Sequence, residues 1–162
     1  MSSQGTFSFR KLCLEVVARL DVRFHAHLLA YFWCTQFVVP KSIHFIIDTG
    51  CTTTTILSDD ATRLGINCST LNSANPVSTA NGNVVPYTLP KVILIYRAHL
   101  GLFNLKYALK GTELDEIHCH APTNPSLMSQ QRIANACSLL GMDFLKKFKK
   151  WTFTDKELIL RT

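Results

Sequence analysis

Apolar residues along this chain fall in short runs separated by polar turns, the pattern of a β-rich protein rather than a helical one. Residues 11–20 carry Leu12, Val16, Val17 and Leu20, which suit a short helix or a strand. Residues 21–28 alternate, with Val22, Phe24, Ala26 and Leu28 on one side. The apolar stretch 28–39 contains Thr35 and Gln36 and is shorter than the ~20 residues of a membrane span. It reads as a buried strand pair, the second part (37–39) ending at Pro40-Lys41. Residues 43–47 form a compact apolar strand that stops at Asp48-Thr49-Gly50. Ser58-Asp59-Asp60 then caps a short helix over 61–64, closed by Gly65.

The second half continues the β pattern. Asn81-Gly82, between the β-prone runs 77–80 and 84–87, predicts a tight hairpin, because both central residues of such a turn need φ > 0. Residues 91–97 and 102–109 read as strands, 111–116 as a turn, and 117–121 as a further strand. A polar loop follows over 122–132. The apolar run 137–140 ends in Gly141, and 143–148 has room for one or two helical turns. Residues 151–153 and 158–160 flank Thr154-Asp155-Lys156-Glu157 as a final hairpin.

Composition bounds the architecture. The chain has 162 residues, 47% apolar and 17% charged, with mean hydropathy +0.13. These values exclude intrinsic disorder and a highly charged coiled coil. The length predicts one domain over residues 21–162 behind an N-terminal extension, 1–20. Two full lobes do not fit, so a site that needs two must draw on two chains. The net charge of +6 is scattered apart from Lys146, Lys147, Lys149 and Lys150. That cluster reads as a solvated face, and no nucleic-acid partner is expected. The six cysteines form no C-x-x-C pair, and the first ten residues have no apolar leader core. Free thiols in a reducing, cytoplasmic location are expected, with no membrane association.

Asp48-Thr49-Gly50 carries the sharpest chemistry. An ordinary Asx-turn has the same composition. Here, though, the carboxylate emerges from a core strand, and small or hydroxyl residues follow from Cys51 to Thr55. Other groups are weaker candidates. His25 and His27 share one strand face, as do His118 and His120, but nothing in the sequence joins the two pairs into a zinc site; half-exposed strand histidines are expected. Cys51 and Cys137 lack a histidine in a nucleophile motif and read as structural thiols. Trp33 and Trp151 read as core or interface aromatics.

The order of these motifs resembles the retropepsin-like aspartic proteases, the single-lobe relatives of retroviral proteases. It runs from the Asp48 turn, through the capped helix ending Arg63-Leu64-Gly65-Ile66 and the Val77–Gly82 hairpin, to Leu139-Leu140-Gly141-Met142-Asp143-Phe144-Leu145, and covers about residues 21–160. The resemblance implies a mainly β, closed-barrel fold with short helices, one lobe per chain. It implies that Asp48 is catalytic, that Thr49, Gly50 and Cys51 shape the active-site turn, and that Ala80, Asn81 and Gly82 form a flap over a peptide substrate. The 139–141 element is implied to pack beneath the turn. Several positions depart from the viral pattern. Cys51 replaces the usual Ala, and Thr52 and Met142 stand where viral members place an acidic residue and an Arg. The Asp48-to-Gly141 spacing is also longer, with an insertion expected within 98–135.

Aspartic-protease chemistry needs two carboxylates ~3 Å apart sharing one proton. A chain with one Asp-Thr-Gly can supply that only as a homodimer with its twofold axis between the two Asp48 residues. No metal or organic cofactor is required. The Cys51 thiol, a weaker donor than a serine hydroxyl, is expected to let the pair hold its proton to higher pH. Two other classes of function fit the same residues: a non-catalytic peptide-binding or dimerisation module on this fold, and a metal-binding β protein using the histidine pairs.

Overall fold

The computed structural model describes residues 14–23, 25–79, 82–100, 107–121 and 137–162. The expectations for Ala80, Asn81, Cys13, the tail 1–10, the loop 122–132 and most of the insertion within 98–135 lie outside these residues.

Seven strands close into a barrel. They are β1 (Leu14–Leu20), β2 (Ala26–Trp33), β3 (Lys41–Ile47), β4 (Thr55–Ile56), β8 (Tyr87–Leu100), β9 (Tyr107–Cys119) and β10 (Ser138–Leu140). The order is β1-β2-β3-β10-β4-β9-β8, and β8 pairs back onto β1 and β2. The short β5 (Asn72–Ser73) extends β8 at one edge, and β11 (Lys150–Phe153) and β12 (Glu157–Arg161) extend β1 at the other. The strands β6 (Val77–Thr79) and β7 (Gly82–Val84) form a separate two-stranded sheet. Inward residues alternate along the strands and meet in one core that includes Phe32, Phe45, Tyr96, Leu140 and Phe144, with Trp33 and Trp151 packed against it. Among the described residues no helix is long and apolar enough to cross a membrane. Their five cysteines are free thiols.

Several elements differ from the sequence reading, each for a local reason. Residues 14–20, placed in the extension, form β1 and pair with β12 from Glu15↔Arg161 to Arg19↔Glu157. Stretch 28–39 is one strand followed by a turn, not two strands. The Phe37 N–H donates to the Cys34 carbonyl at 3.0 Å, and Phe37 packs edge-on against Phe32. Ser58-Asp59-Asp60 forms the first turn of α1 (Ser58–Leu64) rather than its cap; the N-cap is Leu57, with no side-chain hydrogen bond. Gly65 does close the helix, in the left-handed region at φ 69.

Segment 111–116, read as a turn, is the middle of β9. Its charged residues face solvent while Thr112 and Leu114 face the core. The β8–β9 ribbon also changes phase. Leu89 and then Val92, Leu94, Tyr96 and Ala98 are buried, so the inward parity switches across Pro90-Lys91, where Lys91 adopts φ 51. β9 switches in step, from Leu114 to Ile117. The break in strict alternation explains why a period-two reading stops there.

Candidate active site

β3 runs through the core and delivers Asp48 at its end. The strand lies parallel to β10, with Ile47 opposite Leu140, and the Asp48 N–H donates to the Leu140 carbonyl at 2.9 Å. The chain then turns. Gly50 N donates to Asp48 Oδ1 at 2.8 Å, and Cys51 N to the Asp48 carbonyl at 3.2 Å. This is an Asx-turn in its hydrogen bonding. A Cβ on Gly50 would stand 3.2 Å from Asp48 Oδ1, so a side chain there would crowd the carboxylate. Asp48 is half-buried, and Thr49 and Gly50 are exposed. Among the described residues no Lys or Arg forms an ion pair with Asp48.

The floor of the turn comes from 139–143. Gly141 passes so close that an added Cβ would lie 2.8 Å from the Cys51 carbonyl oxygen and from the Thr53 carbonyl carbon, and 2.9 Å from Thr54 N. Only glycine leaves room for this crossing. Its N–H donates to Thr54 Oγ1 at 3.1 Å. Met142 N and Asp143 N donate to the carbonyls of Cys51 (2.8 Å) and Thr52 (3.2 Å). The Asp143 carboxylate, in the first turn of α2 (Met142–Leu145), accepts from Thr54 N at 2.8 Å and Thr54 Oγ1 at 2.7 Å. Positions 52 and 142, which lack the viral-type charges, sit in a network built instead from backbone groups and Asp143. Sequence reasoning missed Asp143, because its partner is 89 residues away.

The Cys51 thiol bonds within its own turn. Sγ donates to the Thr53 carbonyl at 2.9 Å and lies 3.8 Å from Thr55 Oγ1. Burial pushes this thiol above its ordinary pKa.

Asp48 opens into a cleft of about 710 Å³. Gly50, Cys51 and Thr52 line it on the turn side, Val77, Ser78, Thr79 and Val84 on the hairpin side, and His118 and His120 on the β9 side. The hairpin register pairs Thr79 with Gly82. Gly82, expected at the turn centre, therefore begins β7, with φ 110. The two cleft histidines are half-buried. Their shared face was legible from spacing, but the cleft comes from the parallel pairing of β9 with β4, which sets His118 opposite Thr55. Burial, followed by the neighbouring His118, lowers the His120 pKa. His25 and His27 converge instead on Asp21, at 3.5 and 3.1 Å.

Residues 38–147 match the family described as gag-polyprotein putative aspartyl protease. No curated protein matches the chain significantly. Among solved structures, the fold is similar to that of a retropepsin-like aspartic protease from Rickettsia conorii. The TM-score is 0.55 at 24% identity, over 92% of this chain and 91% of that one. The family match takes in about two thirds of the chain and has the Asp48 turn, the hairpin and Gly141 inside it, so this chain belongs to the gag-polyprotein putative aspartyl protease family and has the retropepsin-like fold.

Proposed function

We propose that the protein is a homodimeric aspartic endopeptidase in which each chain contributes Asp48 to a two-carboxylate centre. The observation that carries this reading is the Asp48 carboxylate, held by Gly50 N, lining a cleft and in no ion pair with a Lys or Arg among the described residues. The family and the single Asp-Thr-Gly per chain support it.

Across a twofold axis the paired aspartates share one proton, since like charges that close do not both ionise. The ionised partner takes a proton from water, whose oxygen attacks the scissile carbonyl. The protonated partner gives its proton to the carbonyl oxygen. Collapse of the tetrahedral intermediate breaks the C–N bond as a proton passes to the leaving amine. Thr49 steadies the pair across the axis, Gly50 and Cys51 maintain the turn, and the hairpin carrying Ala80, Asn81 and Gly82 acts as a flap over an extended peptide. The free thiols suit a reducing, cytoplasmic setting.

The test is a peptide-library digest by wild type and Asp48→Asn, with sedimentation of both. Wild type cleaves, and its specific activity falls on dilution through the dimer dissociation constant, because mass action sets the active fraction. Asp48→Asn sediments like wild type and cleaves at background. Undiminished cleavage by the variant, or specific activity constant well into the monomer range, refutes the reading.

A further inference from the structure

We propose that His27, His44 and Cys137 form a zinc-binding site on the outer face of the barrel, separate from the Asp48 cleft and independent of protease chemistry. Their ligand atoms lie within 4.8 Å of one another. Strand register puts them there. His27 lies opposite Ile46 and His44 opposite Leu29, so the two are diagonal neighbours on one face, with rings 5.1 Å apart. Cys137 immediately precedes Ser138, which pairs with Phe45, so the thiol arrives beside His44. Leu28, Phe45 and Ser138 point into the core, which leaves the alternate positions 27, 44 and 137 facing out.

A second, independent observation points to a ligand. His27 Nδ1 is buried and has no hydrogen-bond partner, the one buried side-chain nitrogen or oxygen in that state among the described residues. The other ring nitrogen is held: Nε2 lies 3.1 Å from Asp21 Oδ2. Asp21 is itself fixed, its Oδ1 accepting from the N–H groups of Arg23 and His25 at 2.8 Å. In the neutral tautomer that donates Nε2–H to the carboxylate, Nδ1 carries a lone pair, and the bond on the far side of the ring fixes its direction. That is the carboxylate–histidine arrangement that orients metal ligands.

Two imidazoles and a thiolate suit a borderline-soft divalent ion, with zinc the best fit. Zinc sits about 2.0–2.3 Å from such ligands, so His44, which is exposed, and Cys137, which is half-buried, close slightly around it. Binding releases the Cys137 thiol proton to solvent and leaves a fourth position for water. The ion would tie β2 and β3 to the entry of β10, the strand that leads to Gly141.

The test uses the full-length protein stripped of metal, then titrated with ZnCl2 by calorimetry and with CoCl2 by absorption. Wild type should bind one zinc per chain, melt at a higher temperature with it, and give tetrahedral Co2+ bands with a thiolate charge-transfer band. Cys137→Ser should abolish that charge-transfer band. Asp21→Asn, which leaves all three ligands in place, should weaken zinc by about 10–100-fold. Absence of the thiolate band in wild type overturns the proposal, whatever the variants do. Zinc binding that persists in Cys137→Ser and His44→Asn but is lost in His118→Asn overturns it by placing the ion in the cleft.

Discussion

Asp143 holds Thr54 by both its main chain and its side chain, with Oδ2 accepting from N at 2.8 Å and Oδ1 from Oγ1 at 2.7 Å. Thr54 is fully buried, and its hydroxyl also receives the Gly141 N–H, so one carboxylate fixes the segment that follows the aspartate turn. Asp143→Ala leaves a buried N–H and hydroxyl without their acceptor. Hydrogen bonds to charged groups contribute about 1.5–3 kcal/mol each, so the variant should lose about 3 kcal/mol in urea unfolding. Asp143→Asn, which keeps one acceptor, should lose less. Equal unfolding midpoints for wild type and Asp143→Ala would show that the grip does not matter.

Gly141→Ala should be worse than an ordinary glycine replacement. The new methyl meets backbone atoms of 51, 53 and 54, not a side chain that can swing away. Overpacking costs typically 1–3 kcal/mol, and immovable neighbours put this site at about 3 kcal/mol or more. A thermal melt within a degree or two of wild type is the contrary result.

Gly82→Val should separate activity from stability. Position 82 has open space around it but φ 110, where a β-branched residue is strained by about 1–3 kcal/mol. The β6–β7 sheet is not paired to the barrel, so the strain opens the hairpin and leaves the core intact. Peptide cleavage should fall several-fold while the melting temperature barely moves. Unchanged kcat/KM would remove the hairpin from the reaction.

His120 should make stability pH-dependent. Burial, then the charge of His118, holds its folded pKa below the ordinary value of 6.5. Between those two values the unfolded chain binds the proton and the folded chain does not. Stability is therefore full above pH ~6.5 and declines as pH falls through that window. His120→Asn removes this contribution, so its urea midpoint should drop less than that of wild type between neutral and mildly acidic pH. Parallel midpoint curves would show that His120 is not linked to folding.

What could be read from the sequence was local. A run of apolar residues followed by Asp-Thr-Gly suffices to predict that β3 ends just before Asp48, because strand and turn are encoded side by side. The same holds for the hairpin, although Gly82, expected in the turn, pairs with Thr79 in the ladder. Residues 111–116 were not legible as strand. Their burial follows a phase change at Lys91 and Asp115-Glu116 that no fixed period predicts. Asp143 under Thr54, the cleft position of His118 and His120, and Cys137 beside His44 all depend on which strands become neighbours. Pairing across long separations leaves no mark at either residue alone.

The floor beneath the aspartate turn has a consequence for the order of events during synthesis. A nascent chain that has emerged through β4 already contains Asp48, Thr54 and the residues between them. It lacks the Leu140 carbonyl, the Gly141 crossing and the Asp143 carboxylate that give this segment its shape. β1, the first strand of the barrel, likewise lacks its pairing with β12 at that point. Since domains form as the ribosome releases them, the turn is made early and organised late. Any peptide-cleaving competence is therefore deferred until residues 138–143 have left the ribosome.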